Sequence, residues 1–150
     1  MGTGRKLRDG SDVAVLTIGP IGNDVEEILA SSNLPQLGEA SNAENSGAAT
    51  SPSLGTEGKV AHYDMRFLKP LDEDILHEVG RKFQRVVTIE DGVRIGGLGS
   101  AVMVWMGDHG YRPLITRLGL PDQFVEHGEV EELREIVGLD KESIRKAIQA

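Results

Sequence analysis

The stretch Glu90-Asp91-Gly92, running into Gly96-Gly97-Leu98-Gly99-Ser100, is where residue type and spacing first suggest chemistry. A strand, a glycine-rich turn and a helix in that order can cradle a phosphate on the free N–H groups of the helix N-terminus. Two features oppose this use here. Val102 stands where a dinucleotide fingerprint requires glycine, and Asp91 would repel a phosphate. The expectation is therefore structural: the glycines permit a tight turn and close helix packing. A second constellation is Glu90, Asp91, Asp122 and Glu126 with His127, which would make an acid/base group if all stood at the carboxyl ends of parallel strands. Single Asp and His residues in Pro- and Gly-rich turns more often cap helices or fix loops, so local structure or contact with another domain is expected of these too.

Other chemistries are excluded by composition. The chain has no cysteine, which removes disulfides, thiolate metal sites and cysteine nucleophiles together. Its four histidines, His62, His77, His109 and His127, show no i, i+4 pair of the kind that binds zinc. A net charge of −8 argues against nucleic acid, whose phosphates are held by clustered Lys and Arg. No apolar run approaches the roughly 18 residues needed to cross a bilayer, and Met1 to Lys6 lead into no signal-peptide core. A cytoplasmic protein without membrane or nucleic-acid partners is expected.

The elements that must position these residues alternate in type. Val13–Ile18 is a continuous apolar run of strand length, as in parallel sheets covered on both faces. Gly19 and Pro20 break it, and Asn23 or Asp24 can cap a helix through Ala30. Val60–Met65 reads as a second strand. Asp72 then marks a helix start, with Asp72, Glu73 and Asp74 at the positive end of the dipole and Arg81 and Lys82 at the negative end. Ile75, Leu76, Val79 and Phe83 form its apolar face.

Arg85–Ile89 and Leu114–Leu118 are further strands, separated by a helix from Ser100 to Gly107 with Val102, Trp105 and Met106 inward. Two terminal helices follow, one lined by Val130, Leu133, Ile136 and Val137 and closed by Gly138. The other is lined by Ile144, Ala147 and Ile148 and capped by Asp140. Strands alternating with helices imply a three-layer α/β/α fold with a mostly parallel sheet and right-handed crossovers. Residues 31–58 break the rhythm: rich in Ser, Gly, Asn, Ala and Pro, they predict a long mobile insertion loop. With 150 residues, one domain spanning 1–150 is expected.

Three segments together resemble a known family. They are Asp64-Met65-Arg66-Phe67-Leu68-Lys69-Pro70-Leu71-Asp72-Glu73, then Thr88-Ile89-Glu90-Asp91-Gly92 with Gly96 to Ser100, then Gly119-Leu120-Pro121-Asp122-Gln123-Phe124-Val125-Glu126-His127-Gly128. In order and spacing they resemble the C-terminal domain of the 1-deoxy-D-xylulose-5-phosphate synthases, thiamine-diphosphate enzymes of the transketolase group. One departure is Arg94-Ile95, where related sequences often carry a polar residue such as Asn. The resemblance implies a five-stranded sheet whose segment near Arg5 to Leu7 is an antiparallel edge strand. It also implies that the chain is the last third of an enzyme that joins pyruvate to glyceraldehyde 3-phosphate, with loss of carbon dioxide, on the way to isoprenoids and thiamine.

On this resemblance thiamine diphosphate and Mg²⁺ belong to the preceding N-terminal domains, which are the expected partners, and the full-length enzyme is a homodimer. No catalytic, cofactor-binding or metal-binding position of the family maps onto this chain, and none is assigned. Gly107-Asp108-His109-Gly110 resembles the start of the thiamine-diphosphate metal motif, but that motif needs a downstream Asn and none occurs after Asn45. The segment is expected to be a helix end and turn, and the isolated chain is expected to be inactive. Two alternatives stay open: the C-terminal domain of a 2-oxo-acid dehydrogenase β chain, and a free-standing domain binding a small molecule at the Glu90–Ser100 loop.

Overall fold

The computed structural model describes residues 2–32, 58–122 and 130–149, and all statements of absence below refer to these. Ten elements follow in the order β1 (Arg5–Arg8), β2 (Gly10–Ile18), α1 (Ile21–Ser32), β3 (Gly58–Asp64), α2 (Glu73–Lys82), β4 (Arg85–Val93), α3 (Leu98–Asp108), β5 (Leu114–Leu120), α4 (Val130–Val137) and α5 (Lys141–Gln149). The five strands form one sheet in the order β1-β3-β2-β4-β5. All neighbours are parallel except β1, which pairs antiparallel with β3 at one edge, as expected.

Because successive residues of a strand point to opposite faces, each central strand feeds two cores. Ala14 and Leu16, with Ala61, Tyr63 and Val86, meet α2 and α3. Val13 and Val15, with Val60, Val87 and Ile89, meet α1 and α5. This explains the continuous apolar runs: no strand face in the middle of the sheet sees water. The expected inner faces of α2 and α3 are buried, including Phe83 and Trp105, and Ile144 and Ile148 of α5 are buried as well.

Several boundaries and one face differ from expectation. α1 begins at Ile21 rather than at an Asn23 or Asp24 cap, because its first donor is satisfied from a distant strand. It continues through Ser32, and β3 begins at Gly58, so the predicted loop loses its ends to regular structure while 33–57 lie outside the described residues. β4 and β5 run on to Val93 and Leu120, the residues where their pairing resumes after an irregularity. The apolar face of α4 is the larger departure: none of its residues is buried, and Ile136 is 74% exposed.

Candidate functional site at the carboxyl end of the sheet

The chain leaves β2 through α1 to β3 on one side and leaves β4 through α3 to β5 on the other. The sheet therefore changes winding direction between β2 and β4, and open α/β sheets place ligands outside the carboxyl ends of such strands. At that point β2 is followed by Gly19, whose φ of 90° turns the chain into α1. Beside it, β4 presents Glu90 and Asp91.

As consecutive strand residues these two acids diverge to opposite faces, and each finds the start of a helix. Glu90, 3% exposed, accepts from the Leu98 N–H at 3.0 Å and the Gly99 N–H at 2.9 Å, the opening donors of α3. Asp91 Oδ2 accepts from the Ile21 N–H at 3.0 Å, the opening donor of α1. The positive ends of both helices are thus neutralised by carboxylates of the protein itself. The glycines follow from this closeness. A Cβ on Gly97 would stand 1.8 Å from Glu90 Oε1 and 2.3 Å from the Val93 carbonyl, and one on Gly99 would stand 2.7 Å from Thr88 Oγ1.

This arrangement is a clamp on two helical layers rather than a cradle for phosphate. A diphosphate placed at either helix start would meet a fixed carboxylate, and no cluster of three metal-ligating side chains exists among the described residues. Among the described residues, those at these two helix starts do not fit thiamine diphosphate with its Mg²⁺. Of the five residues weighed as an acid/base group, Glu90 and Asp91 point apart, Asp91 and Asp122 both line a groove beyond the carboxyl ends of β4 and β5, and Glu126 and His127 lie outside the described residues. Asp91 also faces Arg134 of α4 at 3.7 Å, while Arg134 bonds Asp24 of α1 at 2.8 Å. These ions border an apolar groove of about 640 Å³ lined by Val93, Leu120, Pro121, Leu133, Val137 and Leu139.

The other motif residues are structural in the same sense. Asp72 accepts from the Ile75 N–H at 3.1 Å to cap α2 and from the Gly4 N–H at 2.7 Å, tying the segment that enters β1 to the start of that helix. Gly107 to Gly110 close α3. Gly110 turns at φ 79°, and the His109 ring stacks on Trp105 at 3.8 Å. The Trp105 indole N–H donates to Glu73 at 3.1 Å.

A second polar centre escaped sequence reasoning. His62 is wholly buried, its Nδ1 2.6 Å from Glu26 of α1 and its Nε2 2.8 Å from Thr17 Oγ1 of β2. A carboxylate can only accept, so Nδ1 carries the proton and Nε2 accepts the Thr17 hydroxyl. Arg8 of β1 closes the chain on Glu26 at 3.1 Å. Burial holds the imidazole below its ordinary pKa, with the Glu26 contact working in the opposite direction. Hydroxyl, imidazole and carboxylate stand in the sequence of a hydrolase triad, but Thr17 is buried too, so no substrate meets it. The network ties β1, β2, β3 and α1 together. Its members lie far apart in sequence without a motif, and only the sheet register brings them together.

With this geometry in hand, the comparisons with known proteins define the class. The family described as "Transketolase, C-terminal domain" matches residues 53–144, and the chain belongs to that family. Over 148 residues, 99% of this chain, it is 51% identical to 1-deoxy-D-xylulose-5-phosphate synthase of Bacteroides fragilis and 48% identical to that of Phocaeicola vulgatus. The chain spans about 20% of the length of these relatives, a smaller share than the expected last third. Among solved structures, a chain described as "Split gene transketolase, inactive beta4 tetramer" superposes with a TM-score of 0.74 at 28% identity. The match covers 99% of this chain and 41% of that one.

Proposed function

We propose that this polypeptide is the C-terminal domain of a cytoplasmic, homodimeric 1-deoxy-D-xylulose-5-phosphate synthase and acts as a single structural unit over 1–150. The whole enzyme would condense pyruvate with glyceraldehyde 3-phosphate, releasing carbon dioxide, toward isoprenoids and thiamine. One observation carries this reading: 44–51% identity to several synthases across nearly the entire chain, the insertion region included. Thiamine diphosphate, bound with Mg²⁺ in the preceding domains, would supply the carbanion chemistry. The present chain would hold those domains in place and touch neither cofactor nor substrate.

The clamp supports the division of labour. The two helix starts at which an α/β sheet would hold a phosphate are capped by Glu90 and Asp91. The test is reconstitution. The isolated chain should give no heat with thiamine diphosphate and Mg²⁺ and no product from the two substrates, whereas the full-length polypeptide should turn over. Micromolar cofactor binding by the isolated chain, or a full-length protein unable to form the product, would sink the reading.

A further inference from the structure

Besides the exposed residues of α4, a second apolar surface of the molecule is absorbed by neither core. α3 carries no charged residue before Asp108. Its inner side chains are buried, yet Met103 and Val104 on the far side are exposed, Val104 to 63%. A helix that is apolar all round is normally covered all round. Packed against α3 is β5, an edge strand whose sole partner among the described residues is β4. Its seven residues include one charge, Arg117, and Leu114 is 69% exposed. The opposite edge shows how this sheet protects a rim that faces water. There β1 has four residues, three of them basic, and an irregular register. Short length, charge and a bulge are the usual defences against unwanted strand pairing; β5 is longer than β1 and has only Arg117 and the irregularity near its end, where its pairing with β4 skips from Ile89 to Val93.

We propose that the β5 rim and the outer face of α3 are the surface on which the rest of the synthase polypeptide is seated, an inference that rests on the function proposed above. The occupant follows from length. This chain is about a fifth of its relatives, so about four fifths of the polypeptide lies outside it. A partner on the same chain acts at an effective concentration on the order of millimolar, enough to keep an apolar rim covered at all times. A second copy of this chain fits less well, since each copy carries a net charge of −8 and would be repelled by the other. The seat offers apolar contact at Met103, Val104 and Leu114 and a row of outward backbone groups on β5 to which an extended segment can bond.

Hydrogen exchange on the full-length polypeptide tests this. Amides of Leu114–Leu120 should exchange as slowly as those of β4, although half of them face outward. Val104→Glu and Leu114→Glu should speed β5 exchange by about tenfold or more and expose the domain to limited proteolysis. Ile136→Glu, on the exposed side of α4, should leave both unchanged. Fast exchange at β5 in the unmodified full-length protein would overturn the inference whether or not the variants fold. Protection that disappears on dilution to monomers would overturn it in favour of a second copy. Turnover measured alongside separates the two readings: an active enzyme with a fast-exchanging β5 loses only the docking surface, and an inactive one loses the synthase assignment.

Discussion

Two buried polar centres lie on this sheet, and they solve the same problem with different partners. At the carboxyl end of β4, Glu90 is satisfied by backbone N–H groups of the α3 turn. Below the β1 edge, His62 is satisfied by the side chains of Glu26 and Thr17. Backbone donors are fixed by the fold and do not titrate, so the first centre demands an exact backbone path and tolerates little change of shape. Side-chain partners leave the backbone free but tie the second centre to a protonation state.

Breaking the backbone path should have the largest effect. In Gly97→Ala the new methyl would collide with Glu90 Oε1 and with the Val93 carbonyl, and only the carboxylate can move. Expelling it would leave the Leu98 and Gly99 N–H groups buried without an acceptor. We expect a loss of about 3 to 5 kcal/mol in denaturant unfolding. A loss under about 1 kcal/mol would mean that the clamp is not rigid.

Removing the imidazole should cost less. His62→Leu keeps the volume and leaves Glu26 paired with Arg8 but strands the Thr17 hydroxyl, an expected loss of about 2 to 3 kcal/mol. The second centre also predicts a pH dependence. The folded protein holds His62 neutral below its ordinary pKa, while the unfolded chain takes up a proton near pH 6.5. Below that pH the unfolded state binds more protons, so stability is complete above it and declines as pH falls toward the folded value. Denaturation at about pH 7.5 and about pH 5.5 should show this decline in the natural protein, and His62→Leu should show a smaller one. Equal declines in both would remove His62 from the explanation.

The smallest effect should be a gain. Thr88 Oγ1 lies buried under Gly99 and is the one buried side-chain polar atom without a hydrogen-bond partner among the described residues. Thr88→Val removes that unpaired hydroxyl at constant shape and should stabilise the protein by about 1 kcal/mol. A destabilised variant would show that the hydroxyl has a partner such as a bound water.

Local periodicity was sufficient wherever a residue's environment depends on its neighbours in sequence. Val13 to Ile18 read as a doubly covered strand, and Asp72 as a cap, because strand alternation and helix capping act over a few residues. The α4 face follows expectation only in part, for the complementary reason. Of the stripe Val130, Leu133, Ile136 and Val137, Val137 packs against the core while Val130 and Ile136 are exposed, and nothing in such a stripe states how much of it the same domain covers.

The sequence by itself determined the class of fold, four of the five strands and the kinship with the synthases, and that kinship in turn implied the antiparallel edge strand. It also showed that a thiamine-diphosphate metal motif is missing. Tertiary structure alone decided what the suspicious residues do. Asp91 caps a helix that begins 70 residues earlier in the chain, and His62 meets Thr17 across 45 residues and Glu26 across 36. Such pairings follow from strand order and register, which are set by the packing of the whole sheet between its helices, and no local pattern records them.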